Sequence, residues 1–190
     1  MRSLFNRKAT RITMALACIA VTGQTAAAQA KAGTAGSFGL GYTDVGVVVG
    51  LGGVGGASAS FGGRFEHAVK ALPELANGIL GIQAAFDYYS WSGGTGISGY
   101  TWKYIPIGVT ANYHFKLDET KIDPFVGLGL GYEYISCSAP GLGSGYCSSS
   151  SLYFIGRVGA RYFFSPSMAL YGDAGAGAAT LNLGIMFKLH

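Results

Sequence analysis

The chain has 190 residues, of which 12% are charged, 13% are aromatic and 32 are glycine; an average soluble domain carries about 25% charged residues. No run of 18 apolar residues occurs, which excludes a spanning helix outside an N-terminal leader. Four of the 13 Lys+Arg lie in the first 11 residues, so the remainder carries nine against nine Asp+Glu and offers no basic face for nucleic acid.

Arg2, Arg7, Lys8 and Arg11 precede the apolar run Met14 to Val21, and Ala28-Gln29-Ala30 is a small-x-small site. This order predicts a secretory signal peptide over 1–30, cleaved after Ala30. A short lead-in, 31–36, then precedes one domain, 37–190. Cys18 lies inside the apolar run. The segment Ala15-Leu16-Ala17-Cys18 departs from a lipidation box, because its leucine is one place late and the run continues past the cysteine.

Eight strands are predicted after the leader, most with the alternation of one apolar and one polar face. The first, 37–51, puts Phe38, Leu40 and Tyr42 on one face and Thr43, Val45, Val47 and Val49 on the other. Both faces are apolar or small, so its phase stays open. A turn over 52–56 leads to the second strand, 57–69, where Ala59, Phe61, Phe65 and Val69 oppose Ser58, Ser60, Arg64 and Glu66. A connection over 70–77 leads to the third, 78–90, with Leu80, Ile82, Ala84, Phe86 and Tyr88 opposite Gln83 and Asp87.

After a loop over 92–99 comes the most regular stretch, a hairpin over 102–136. Its first arm sets Ile105, Ile107, Val109, Ala111, Tyr113 and Phe115 against Tyr104, Gly108, Thr110, Asn112 and His114. Its second sets Ile122, Val126, Leu128, Leu130, Tyr132 and Tyr134 against Asp123, Gly127, Gly129, Gly131 and Glu133. Both arms are long enough for a tilted membrane strand, which needs roughly 9–11 residues. The Ser/Gly-rich loop 137–150 contains Cys137 and Cys147, a pair expected to form a disulfide in an oxidising compartment. The sixth strand, 151–164, opposes Leu152, Phe154, Val158, Ala160 and Tyr162 to Arg157 and Arg161. Ser165-Pro166-Ser167 is a turn, and strands over 168–176 and 180–189 complete the set.

An even number of strands lets a barrel close with both termini on one side. Loops 92–99 and 137–150 then fall outside the cell, and the turns 116–121 and 165–167 fall in the periplasm. The fold predicted is an all-β, eight-stranded antiparallel transmembrane β-barrel preceded by a cleaved signal peptide. A soluble β-sandwich is the rival fold.

The last strand reads Asn182-Leu183-Gly184-Ile185-Met186-Phe187-Lys188-Leu189. This resembles the C-terminal assembly signal of outer-membrane barrels through Asn182, Gly184, Phe187 and Leu189, although such chains usually end on Phe or Trp. Segments 105–115, 122–132 and 158–175 are similar to the central and late hairpins of small Gram-negative outer-membrane β-barrel proteins, the porin-family, OmpA/OmpX-like group. The resemblance implies that fold, the outer membrane as location, membrane lipid as surroundings and the barrel-assembly machinery as a partner through the C-terminal strand. No domain is expected after the barrel. The resemblance implies little about activity, because one barrel hosts many functions.

The polar face carries Arg64, Glu66, Asp87, Asp123, Glu133, Arg157, Arg161, Asp173 and Lys188. An eight-stranded lumen is just wide enough to be filled by side chains, so these charges are expected to pair in a network that plugs it. A narrow channel for small solutes is the alternative, with Arg157 and Arg161 at its centre. Gly50-Leu51-Gly52-Gly53-Val54-Gly55 matches a dinucleotide-binding glycine pattern, but a strand pattern follows where that motif needs a helix. The glycines at 127, 129 and 131 are expected to leave room for large lumen side chains. His67 and His114 lack a serine two residues away, and the histidines and cysteines lack metal-ligand spacing, so no enzyme, metal or cofactor is expected. Trp91, Tyr100 and Trp102 flank the 92–99 loop and read as an aromatic girdle at the outer interface. A further alternative is adhesion or ligand binding by the 92–99 and 137–150 loops. The function expected is a structural or surface role.

Overall fold

The structure, a computed structural model, describes residues 38–94, 99–118, 121–141 and 147–190. The signal peptide over 1–30, Cys18 and the lead-in 31–36 lie outside the described residues. Eight strands follow in order: β1 (Thr43–Leu51), β2 (Ser60–Leu72), β3 (Gly78–Gly93), β4 (Tyr100–His114), β5 (Ile122–Ser138), β6 (Ser149–Ser165), β7 (Met168–Ala176) and β8 (Leu181–Lys188). Each pairs antiparallel with its neighbours in sequence, and β1 closes on β8 through a ladder from Asp44↔Lys188 to Leu51↔Leu181. Closure removes the open sheet edge that a membrane cannot tolerate.

Alternation sorts the side chains as predicted. Val45, Val47, Phe61, Phe65, Ile107, Val109, Leu128 and Leu183 are among the exposed apolar residues of the outer face. Arg64, Glu66, Asp87, Asn112, His114, Asp123, Arg161 and Asp173 are buried inside. A water-soluble protein does the reverse; a polar interior under an apolar band is the membrane-barrel arrangement. The architecture is that of a small outer-membrane β-barrel.

Three boundaries differ from the sequence reading. The first strand begins at Thr43, because Leu40–Gly41 turns, with Gly41 at φ 81°. Phe38 and Tyr42 tuck into the barrel end, while Leu40 stands away from them, 59% exposed. The second strand spans Ser60–Leu72 and reduces the 70–77 connection to a turn over 73–77, in which Ala76 and Asn77 take left-handed φ values of 50° and 55°. Strand also extends into both predicted external loops, to Gly93, Ser138 and back to Ser149.

Those extensions make the barrel lopsided. Strands β3 to β6 have 16, 15, 17 and 17 residues, whereas β1, β7 and β8 have 9, 9 and 8. Pairing of β2 with β3 stops at Phe61↔Tyr88, and pairing of β6 with β7 starts at Gly156↔Ala176. Beyond these rungs β3–β4–β5–β6 continues alone. The five residues of β3 past Tyr88 rise about 12 Å, at roughly 3.3 Å per residue and a tilt of about 40°. The projection stands on the side away from the termini.

Candidate functional site

The interior is built from polar clusters separated by rings. At the end carrying the termini, Phe38, Tyr42, Ala68, Phe163 and Ala169 form an apolar cluster. Above it lies Arg161, whose side chain is fully buried. Its Nη1 donates to Asp123 Oδ2 at 3.1 Å, its Nη2 donates to Glu66 Oε2, and its Nε lies 3.1 Å from Asp44 Oδ2. His114 spans two of these carboxylates, with Nε2 2.9 Å from Glu66 Oε1 and Nδ1 2.9 Å from Asp123 Oδ1. Gln83 and Asn112 amides donate to the two Glu66 oxygens at 3.0 and 2.9 Å. The carboxylates therefore reach one cation from β1, β2 and β5 across the lumen.

Aromatic rings close over this cluster. The Arg161 guanidinium carbon lies 5.0 Å from the Phe38 ring centre, 5.5 Å from that of Phe125 and 5.8 Å from that of Tyr171. Phe38 also stacks on His114, with centroids 3.7 Å apart. Ring faces are electron-rich, so they favour a desolvated cation between them. Val48, Phe125, Tyr171 and Met186 make the apolar layer on the other side of the cation.

A second polar cluster follows towards the outer mouth. Arg64 Nη2 donates to Asp87 Oδ1 at 3.1 Å, and Arg157 Nη1 lies 2.9 Å from Asp173 Oδ1. Asp173 also accepts from Asn182 Nδ2 at 2.8 Å and from the Tyr171 hydroxyl. Arg157 Nη2 donates to the Ala179 carbonyl at 2.6 Å. The mouth is covered by the glycine-rich turn after β1. Gly52, Gly53 and Gly55 take φ values of 69°, 71° and 59°, which only glycine adopts at no steric cost. The chain thereby folds over the opening and buries Val54, 2% exposed, against Tyr89, Ala179, Ala57 and Tyr104. Thr180 N donates to the Gly52 carbonyl at 2.9 Å, which ties this turn to the one between β7 and β8. A mouth cover, not a phosphate cradle, is what the glycine pattern builds.

Of the nine predicted network residues, Glu66, Asp123 and Arg161 meet in the first cluster, and Arg64, Asp87, Arg157 and Asp173 lie in the second. Glu133 accepts from the Tyr89 hydroxyl at 2.7 Å, higher in the barrel. Lys188 sits over the Tyr42 ring, 5.3 Å from its centre, at the terminus end. Arg157 and Arg161, expected together at the centre of a pore, belong to different clusters. Four residues along a strand separate them by about 13 Å, enough for the Phe125 and Tyr171 rings to lie between.

Asp44 and His114 were missing from the predicted network. Asp44 is the one charged residue of β1, a signal obscured by the open phase of that strand. Phe125, buried on the Asp123 side of β5, was not among the residues the alternation named. The expected glycine clearances hold: a Cβ on Gly127 would strike the Asn112 amide, and one on Gly131 the Tyr153 ring. Of the assembly-signal residues, Asn182 is buried, while Phe187 and Leu189 face outward, 41% and 50% exposed. A Cβ on Gly184 would run into β1 at Val47 and Val48. Cys137 and Cys147 are bridged, with Cα atoms 5.6 Å apart.

The girdle reading of Trp91, Tyr100 and Trp102 is corrected. Trp91 shares its face of β3 with Asp87 and Tyr89, and Tyr100 and Trp102 share theirs of β4 with Tyr104 and His114, so all three point to the lumen side. Tyr88, Tyr132 and Tyr134, 38%, 42% and 44% exposed, stand outward, Tyr88 on the rung where the β2–β3 pairing ends. His67 also faces outward, its Nδ1 2.7 Å from the Thr43 hydroxyl. Among the described residues no group of three His, Cys, Asp or Glu is arranged to hold a metal.

No protein-family model matches the sequence, and no curated protein matches it. Solved structures are similar in shape. Ail, the attachment invasion locus protein of Yersinia pestis, is 10% identical in its complex with the heparin analogue sucrose octasulfate, covering 77% of this chain and 93% of that one at TM-score 0.48. A second structure of the same protein is 14% identical at 0.47 over the same shares. The N-terminal β-barrel domain of Pseudomonas aeruginosa OprF is 15% identical, covering 80% and 100%, at TM-score 0.44.

Proposed function

We propose that the chain is exported with its signal peptide, 1–30, cleaved after Ala30, and that the barrel, 37–190, serves in an outer membrane as a structural or surface protein whose lumen is closed to solutes. The supporting observation is Arg161: fully buried, it is shared by Asp44, Glu66 and Asp123 and enclosed by the Phe38, Phe125 and Tyr171 rings. A solute would have to break several charge-assisted hydrogen bonds in a low-dielectric site, which costs several kcal/mol for each unpaired ion. Membrane lipid surrounds the barrel, and the assembly machinery reads the C-terminal strand through Phe187 and Leu189. We assign no catalysis: among the described residues His114 is engaged by carboxylates and His67 by Thr43, with no serine hydroxyl on either. Liposome swelling tests the closed lumen. Vesicles holding the refolded barrel should resist a small sugar as well as protein-free vesicles do, and rapid swelling would restore the channel reading.

The projection of β3–β6 favours surface recognition as the role of the outer part. It lifts the Cys137–Cys147 bridge clear of the apolar band, where a covalent tie lowers the entropy lost on binding.

A further inference from the structure

The inner face of the projection is aromatic and hydroxylated, and its one charged side chain among the described residues is Glu133. Tyr100 lies across Gly93 and Tyr153 across Gly131, so closely that a Cβ on either glycine would enter the ring. The glycines let both rings lie flat on the sheet with a face turned outward. Trp91 rests in the same way on Gly56 and meets Tyr100 edge-on, centroids 5.6 Å apart and planes at 83°. Trp102 is the cross-strand neighbour of both Trp91 and Cys137, so the bridge stiffens its side of the face. Ser149 and Ser151, both exposed, share the Tyr153 side of β6 and give the face a hydroxyl rim. Among the described residues of the projection the charged groups are Glu133, which accepts from Tyr89, and Lys103, which has the opposite parity to Trp102 and so points the other way.

We propose that this face binds a neutral glycan presented from outside the cell. A pyranose ring has an apolar C–H face and a hydroxyl edge. Flat rings offer their negative faces to the C–H groups, and a serine rim meets the hydroxyls. Tyrosine, tryptophan and serine together form a rigid, amphipathic contact surface with little side-chain entropy to lose. A sulfated or phosphorylated ligand would find no cation here. The face overhangs the barrel mouth and is turned away from the lipid around the outer wall.

The proposal rests on the surface-protein reading and supplies its ligand class. The chain has 2 tryptophans, Trp91 and Trp102, so emission excited selectively in tryptophan, beyond the absorption of the 12 tyrosines, reads this face. The mature chain is refolded into nanodiscs of phosphatidylcholine, free of sugar detergents, and titrated with maltohexaose and with cellohexaose. A saturable emission change with either, insensitive to high salt, is expected. Tyr100→Ala and Tyr153→Ala should each weaken it about tenfold while the barrel stays folded in cold SDS, since each removes one ring contact. Gly131→Ala, which displaces the Tyr153 ring, should act in the same direction. Silent tryptophans on folded protein would overturn the proposal, as would a response confined to heparin and abolished by salt, or one that neither tyrosine variant changes. Failure of the surface reading itself shows separately, as conductance through the barrel.

Discussion

Arg161 on β6 and Glu66 on β2 are paired through the middle of the barrel, 95 positions apart in sequence, with neither side chain reaching solvent. Each neutralises the other in the interior of the barrel. Arg161→Ala would leave Asp44, Glu66 and Asp123 buried without their cation, a loss of about 3–5 kcal/mol. Urea unfolding of the refolded variant in lipid vesicles should show that loss, and an unchanged midpoint would contradict the pairing. Arg161→Met, which keeps volume but not charge, should do no better.

Much of this was legible beforehand. The strict alternation of 105–115 and 122–134 gave both the strands and their lumen face, because a period of two admits only two phases and charged residues mark one of them. Asp44 escaped because β1 is small or apolar on both faces, so phase rested on one residue. The separation of Arg157 from Arg161 could not be read from residue types; it depends on which rings arrive from β5 and β7 between them. Trp91 and Trp102 were misplaced for a different reason. Aromatic residues near a strand end suggest an interface, and only the extra length of β3–β6 shows that these strands continue past the lipid.

Val54 covers the outer mouth, so a cysteine placed there should be shielded. Val54→Cys is expected to react with a membrane-impermeant maleimide at least about tenfold more slowly than Ser58→Cys, an exposed position at the same mouth. Equal rates would mean that the glycine-rich turn does not rest in the mouth.

The Cys137–Cys147 bridge closes a segment that joins strand ends outside the barrel. Reduction should make residues between the cysteines susceptible to protease and leave the β-sheet circular dichroism unchanged. A global loss of strand signal would show that the bridge supports the barrel itself.

Asn182 and Phe187 lie on opposite faces of β8 and should fail differently. Asn182→Ala removes a buried donor to Asp173 and should cost about 1–3 kcal/mol of stability. Phe187→Ala removes an outward ring and should slow insertion by purified assembly machinery with little change in spontaneous refolding. If both variants altered stability alone, the C-terminal strand would not be read as a signal.

The closed lumen is tested most directly by single-channel recording of the refolded mature chain in a planar bilayer. Folded protein, verified by its shifted migration in unheated SDS, should give no unitary steps, because the Arg161 cluster, the aromatic layer and Val54 block the path in series. Reproducible steps from the wild-type chain would contradict the account, and their ion selectivity would then be sought at Arg157 and Arg161.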